Sequence, residues 1–342
     1  MKTYARFFWM VLAGCLPLQA QAQTQTVSAL FQEEKPLSLE FTISIREVKK
    51  NLVDSVYFPA QLKYQNPDGR WDSLAVGVRA RGNFRRENCY YPPLRVKIKK
   101  SDAANTVFAG NKNLKLVLPC QTSKDANYLI IKEYLGYKLY EPFTPYIFNT
   151  RLVNVTLHER QGKQVKSHQL VGFLIEDDDL VADRFDGKIR ETTLHPLQLE
   201  DTTAITHDFF QYMISNTDWS SVTSHNIKVL QMKPARYIPL AYDFDMSGLV
   251  NAPYAKPSPL TGQNTVRDRV YRGFCRNDKL VYAVRQQYLG KENEVKSVID
   301  DHASHFSEKQ LSDIRSFIGE FFNTLKSDRL FKDAFIDRCR KN

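Results

Sequence analysis

The residues whose types and spacing suggest chemistry lie past the middle of the chain. Asn216-Thr217-Asp218-Trp219-Ser220-Ser221-Val222-Thr223-Ser224-His225-Asn226 offers a carboxylate and, eight positions later, an amide. Tyr242-Asp243-Phe244-Asp245 follows a strand-like gap and adds two carboxylates at the end of an apolar run. Oxygen donors of this kind suit a hard cation such as Mg²⁺, which is usually held by one or two carboxylates together with substrate phosphates. The metal candidates are Asn226, Asp243 and Asp245, in a pattern that fits phosphoryl transfer. Each piece also has an ordinary reading. A lone Asp in a turn most often caps local backbone, and Asp243-Phe244-Asp245 alone reads as a strand end. Order and spacing give the set its meaning.

The elements needed to position these groups are legible in the surrounding pattern. Ile205, Phe209, Tyr212 and Met213 share one face of a helix expected over 202–215, which delivers Asp218 in a turn. Strands expected over 227–231 and 237–241 form a short hairpin, with Asn226 before one arm and Asp243 after the other. Upstream, alternating apolar residues predict strands over 39–45, 59–64, 73–81, 94–99, 151–158 and 168–175. A one-faced amphipathic helix over 127–141 is inserted among them and stopped by Pro142. The stretch 249–275 is rich in Pro, Gly and Arg, a long loop of the kind that is often functional. Helical periodicity then fills 280–338.

Strands with a glycine turn, one inserted helix, two more strands, an acidic crossover and a helical half holding Asp, Asn and Asp make up the order of a protein-kinase-like fold. The sequence resembles the spore-coat-protein-H-like (CotH-like) atypical kinases. The resemblance rests on the turn Arg81-Gly82-Asn83, the basic strand Leu94-Arg95-Val96-Lys97, Asp218 and Asp243-Phe244-Asp245, and it spans about half the chain. It implies an α+β, bilobal fold with a mainly β lobe over 39–180 and a mainly helical lobe over 181–342. It also implies an enzyme that moves the γ-phosphoryl group of ATP to a hydroxyl with Mg²⁺, or Mn²⁺ in its place. Asp218 then corresponds to the carboxylate that takes the hydroxyl proton, and Asn226 and Asp243 to the metal ligands. Lys97 corresponds to the phosphate-contacting lysine, with Glu133 as its partner. Arg79, Arg81 and Arg95 compete for that role, because guanidinium groups bind phosphate bidentately. Gly82 belongs to the nucleotide-binding turn, and Glu176 stands where a hinge would touch the nucleoside. Three departures set the chain apart from common protein kinases. Asp218 and Asn226 lie eight positions apart rather than five, Asp245 replaces a glycine, and no Gly-x-Gly-x-x-Gly loop occurs. The rival reading is a kinase-shaped cell-surface scaffold that binds without turnover.

Other features bound the function. The formal charge of +10 is dispersed among acids with no long basic run, so nucleic acid is not an expected partner. The expected partners are a nucleotide and a hydroxyl-bearing protein or small molecule. Residues 1–22 have the basic, apolar and small-residue parts of a signal peptide, cleaved after Ala22 before a polar spacer over 23–38. Leu12-Ala13-Gly14-Cys15 also matches a lipoprotein box, which would anchor the chain by lipid at Cys15. Both readings predict export to the periplasm, outer membrane or exterior of a bacterium, with no transmembrane span. Cys89, Cys120, Cys275 and Cys339 permit three disulfide pairings. Cys89–Cys120 with Cys275–Cys339 is the expected one, each closing a loop within one half; four free thiols are the alternative. Asp177-Asp178-Asp179 reads as a solvated turn without the spaced ligands of an EF-hand. Arg267, Arg269, Arg272 and Arg276 suit either an acidic substrate or that acidic turn. No Gly-x-Ser-x-Gly elbow, Walker A loop or His-Glu-x-x-His helix occurs, which removes those enzyme classes.

Overall fold

The computed structural model describes residues 27–341 other than Leu52, Asp54, Lys124 and 191–193. The expected signal peptide, its expected cleavage point and Cys15 therefore lie outside the described residues.

Seven strands form the first half: β1 (Leu37–Ile43), β2 (Phe58–Gln65), β3 (Trp71–Ala80), β4 (Leu94–Ile98), β5 (Asn113–Val117), β6 (Thr150–Gln161) and β7 (Gln164–Ile175). They close into a barrel in the order β1-β2-β3-β4-β5-β7-β6. Alternation drives closure: Leu62, Leu74, Val76, Val78, Val96 and Leu116 turn inward into one apolar core. The last step is β1 pairing in parallel with β6 from Leu37↔Val153 to Ile43↔Glu159, which leaves no free edge there.

This closure corrects the expected architecture. The chain does not form the expected bilobal kinase-like fold of a mainly β lobe with one inserted helix and a mainly helical lobe. The strands make a closed barrel, and the second half has its own antiparallel sheet of β8 (Lys188–Arg190), β9 (Ile227–Met232) and β10 (Arg236–Ala241). The expected hairpin is β9 and β10, paired from Arg236↔Met232 to Ala241↔Ile227.

The helices that matter for the site are α1 (Asn83–Asn88), α2 (Ala126–Tyr140), α3 (Asp178–Arg184) and α4 (Asp201–Met213). Behind them pack α5 (Asp278–Gly290), α6 (Glu292–Asp301) and α7 (Glu308–Lys326). The helix expected to be one-faced, α2, is buried on nearly every side, including Lys132 and Glu133. It lies between β7 and α6, so two faces meet protein rather than one. Gly136 makes room on α2 for Phe244, since a Cβ there would stand 3.1 Å from the Phe244 ring. Burying Phe244 completely contributes roughly 2–3 kcal/mol and fixes the segment that carries Asp243.

Both expected disulfides form, Cys89–Cys120 and Cys275–Cys339. The first pins the end of α1 to the segment leaving β5, and the second ties the long loop to the C-terminal end of the chain. Among the described residues no helix is long and apolar enough to cross a membrane.

Candidate functional site

Helix α4 ends in a turn that is held from three sides. Ser215 adopts a left-handed φ of 50°, and its hydroxyl donates to the carbonyls of Val266 at 2.8 Å and Asp268 at 3.0 Å. Asn216 accepts the Asp218 N–H through its side chain at 3.0 Å, a local Asx turn. Arg272 donates to the carbonyls of Thr217 and Trp219, the latter at 2.8 Å. Residues 220–225 then leave and return, closed by Ser220 N–H to His225 O at 2.9 Å and the reverse bond at 3.0 Å. That excursion absorbs the eight-position spacing. Asn226 Nδ2 donates to the Asp218 carbonyl at 2.8 Å and to Asp218 Oδ2 at 3.0 Å. His225 Nε2 lies 3.0 Å from Asp218 Oδ1, and this bond raises the imidazole above its ordinary range.

The β9–β10 hairpin sets Asn226 just before one strand and Asp243 just after the other. Asn226 and Asp243 both adopt left-handed φ values, 49° and 65°. Such backbone is uncommon for residues other than glycine and gathers at functional sites. The Asp243 N–H donates to the Tyr137 hydroxyl on α2 at 2.9 Å, which fixes the carboxylate's origin. The charge of Asp243 reaches His225 on one side and Glu133 and Asp245 on the other, raising all three.

A second group of carboxylates lies deeper. Arg85 on α1 donates to Glu133 Oε2 at 2.8 Å. Its Nε stands 3.0 Å from Asp245 Oδ2, a close charge contact without hydrogen-bond alignment. The Tyr254 hydroxyl also touches this guanidinium at 3.4 Å. Burial pushes Glu133 up to about 8 and Asp245 up to about 6 against the pull of Arg85, with Asp243 adding to both.

The structure sorts the remaining candidates. Glu133 pairs with Arg85, so the expected Lys97–Glu133 pair does not form. Lys97 is exposed on the outer face of β4, 5.5 Å from the Tyr57 ring, and Arg79 stands over the same ring at 5.6 Å. Gly82 has a φ of 74° and opens α1, while Arg81 lies where its charge acts on Lys115, Tyr137 and Tyr242. Glu176 is held internally by Arg184 at 3.0 Å and Asn149 at 2.8 Å. Asp245 belongs to Arg85 rather than to the Asp218 turn.

The acidic run is not a solvated turn. Asp177 is buried, bonded by Arg95 at 2.8 Å and Asn113 at 3.1 Å, and Asp178 accepts from Lys115. Arg267, Arg269, Arg272 and Arg276 do not pair with that run. Arg267 pairs with Asp313, Arg269 with Glu320 and Arg276 with Asp201, while Arg272 braces the Asp218 turn.

Lys115, Arg85 and Tyr137 also belong to the site, and no sequence motif marks them. Lys115 sits on β5 directly opposite Arg95, itself opposite Arg79, so a basic row crosses the outer barrel face. It is buried over the rings of Phe148, at 4.6 Å, and Tyr242, at 5.8 Å, and that burial lowers its pKa. A single cation in the apolar run Leu114-Lys115-Leu116-Val117 was the available signal.

Beside the site a cleft of about 1140 Å³ opens between the barrel, α3 and the three-stranded sheet. Leu180, Ala182, Ile189 and Val229 give it an apolar side, and Ser224 and Ile227 bring it up to Asn226. Among the described residues no three His, Cys, Asp or Glu side chains converge on a ready metal cage. The donors are nonetheless hard oxygens carrying excess negative charge, which fits a cation whose shell is completed by phosphate oxygens and water. No protein-family model matches the chain, and no curated protein matches it at a significant level.

Proposed function

We propose that this protein is an exported Mg²⁺-dependent phosphotransferase that moves the γ-phosphoryl group of ATP to a hydroxyl on a protein or small molecule. The observation that carries the reading is the meeting of Asp218 and Asn226 across a closed loop, with Asp243 in left-handed backbone close enough to act on His225. The resemblance to the CotH-like kinases contributes this residue pattern, not an architecture. The two disulfides support an oxidising compartment outside the cytoplasm.

Phosphoryl transfer asks a protein mainly to position the reactants and neutralise charge. Asn226 and Asp243 would hold Mg²⁺, which supplies charge neutralisation on the phosphate oxygens. Arg81, whose charge acts on the same Tyr137 and Tyr242 that Asp243 acts on, would meet the phosphates in place of Lys97, with Lys115 behind it bonded to Asp178; the apolar side of the cleft would take the base. Asp218 accepts the proton as the acceptor oxygen bonds to phosphorus and the bond to ADP breaks. Asn226 and His225 hold its two oxygens in place for that transfer. Such a base contributes ~10²–10⁴-fold to rate.

Thermal shift with Mg-ATP tests the binding half: ligand at 100 times its Kd adds ~2.7 kcal/mol of stability. Asp243→Ala is expected to abolish the shift, and Asp218→Ala to keep it while losing transfer of labelled phosphate. Binding by the parent with no transfer to any acceptor or to itself would leave the scaffold reading. Equal binding and turnover in both variants would put the site elsewhere.

A further inference from the structure

The cleft holds more positive charge than its own acids match. Arg95, Arg184 and Lys228 are paired with Asp177, Glu176 and Asp178. Lys100 and Lys112 on the barrel wall, and Lys188 and Arg190 on the opposite wall, have no ion-pair partner among the described residues. Asp179 and Asp183 also reach the cleft without such partners, so the balance is four cations to two acids. Lys188 and Arg190 lie two apart on β8, the edge strand of its sheet, and therefore project to one face. Arg190 is the most telling member. Its guanidinium sits 5.4 Å from the Tyr237 ring, while its Nε is buried with no hydrogen-bond partner among the described residues. A buried donor left unmatched is costly, and a guanidinium oriented by a ring is pre-set for the paired oxygens of an oxyanion.

We propose that Lys100, Lys112, Lys188 and Arg190 form an anion site at the mouth of the cleft, separate from the Asp243 region. It takes a multiply charged phosphate- or sulfate-type group bridging the barrel and the three-stranded sheet. The inference stands on the cleft and its charges and does not require phosphoryl transfer. Under the function proposed above, the group belongs to the acceptor rather than to ATP.

Calorimetric titration of inorganic tripolyphosphate without Mg²⁺ is the test, on the parent, on Asp243→Ala and on the double variant Lys188→Glu, Arg190→Glu. The parent and Asp243→Ala are expected to bind alike, and the double variant at least tenfold more weakly. Binding is expected to weaken as salt is raised. The double variant should keep the Mg-ATP thermal shift, and tripolyphosphate should still bind protein saturated with Mg-ATP. Displacement by Mg-ATP would assign the mouth to the phosphates of the nucleotide and overturn a separate site. No binding to the parent, or a loss in Asp243→Ala as large as in the double variant, would overturn it too. Tripolyphosphate binding without any Mg-ATP shift in the parent would refute the phosphotransferase reading and leave the anion site standing.

Discussion

Two groups of acids act on each other electrostatically yet are held in opposite ways. Asp218 is 41% exposed, bonded to an amide and to an imidazole that is 55% exposed, and among the described residues no arginine or lysine forms an ion pair with it. Glu133 and Asp245 are buried around a single buried guanidinium. The first arrangement leaves a carboxylate able to exchange partners with a ligand. The second joins α1, α2 and the segment after Asp243 into one frame. Burial and counter-charge, rather than residue type, separate the exposed acid from the buried ones, and Asp245 falls on the buried side.

The sharpest way to break this contrast is to remove the shared cation. Arg85→Met would leave two buried carboxylates without their counter-charge, a change that typically costs 3–5 kcal/mol, roughly. Urea unfolding of the parent and the variant would measure it. A loss below ~1 kcal/mol would mean that water or another cation already serves Glu133 and Asp245, and the frame would lose its basis.

Much of this frame was out of reach of the sequence, for physical reasons. Helix α4 and the β9–β10 hairpin are legible because their apolar residues recur at helix and strand spacing, Ile205, Phe209 and Met213 in the one and Ile227, Val229, Ile238 and Leu240 in the other, although the polar side of α4 is buried as well. Strand β5 is not legible in the sequence because Leu114 to Val117 are all buried, which erases alternation. Helix α2 was placed correctly but read as one-faced, since its outer residues meet other protein. Barrel closure depends on β1 finding β6 more than 100 positions away, and no local pattern encodes that pairing. Lys97 and Lys115 carry similar local signals and face the same side of the barrel. Only the covering of β5 by Phe148 and Tyr242 distinguishes them. Arg85 follows the Arg81-Gly82-Asn83 turn, and nothing local marks it as the partner of Glu133, 48 positions away. Asp177 was read as solvated from its acidic neighbours, while its partners Arg95 and Asn113 come from strands far upstream.

Lys132 sharpens the comparison from the other sign. It precedes Glu133 on α2 and is equally buried, but its ammonium has an aromatic ring at 4.9 Å instead of a carboxylate partner. Burial pushes its pKa down to about 8, below the ordinary lysine value. Above that point the folded protein releases a proton that the unfolded chain retains up to about pH 10.4. Stability is therefore expected to rise with pH across this window, because the unfolded state binds more protons. Lys132→Met should flatten the rise and stabilise the protein at pH 7 by up to ~3 kcal/mol. Parallel pH–stability curves for parent and variant would show that the ammonium reaches water or an acid, Asp313 being the nearest candidate.

The smallest expected effect lies at Asp218, the proposed base. Asp218→Asn keeps the side chain's shape and most of its hydrogen-bonding capacity, and it removes a charge that solvent already screens. Exposed pairs of this kind contribute about 0–1 kcal/mol, so the unfolding midpoint should barely move. The Asx turn, the Ser220–His225 bridge and the Arg272 bonds to Thr217 and Trp219 carbonyls do not depend on that charge and should hold the loop. An NMR titration of His225 should show its pKa falling toward the ordinary value once the Asp218 charge is gone. A stability loss near that of Arg85→Met would instead place Asp218 within the structural frame. The two carboxylate groups would then be one, and Asp218 would not be free to serve as a base.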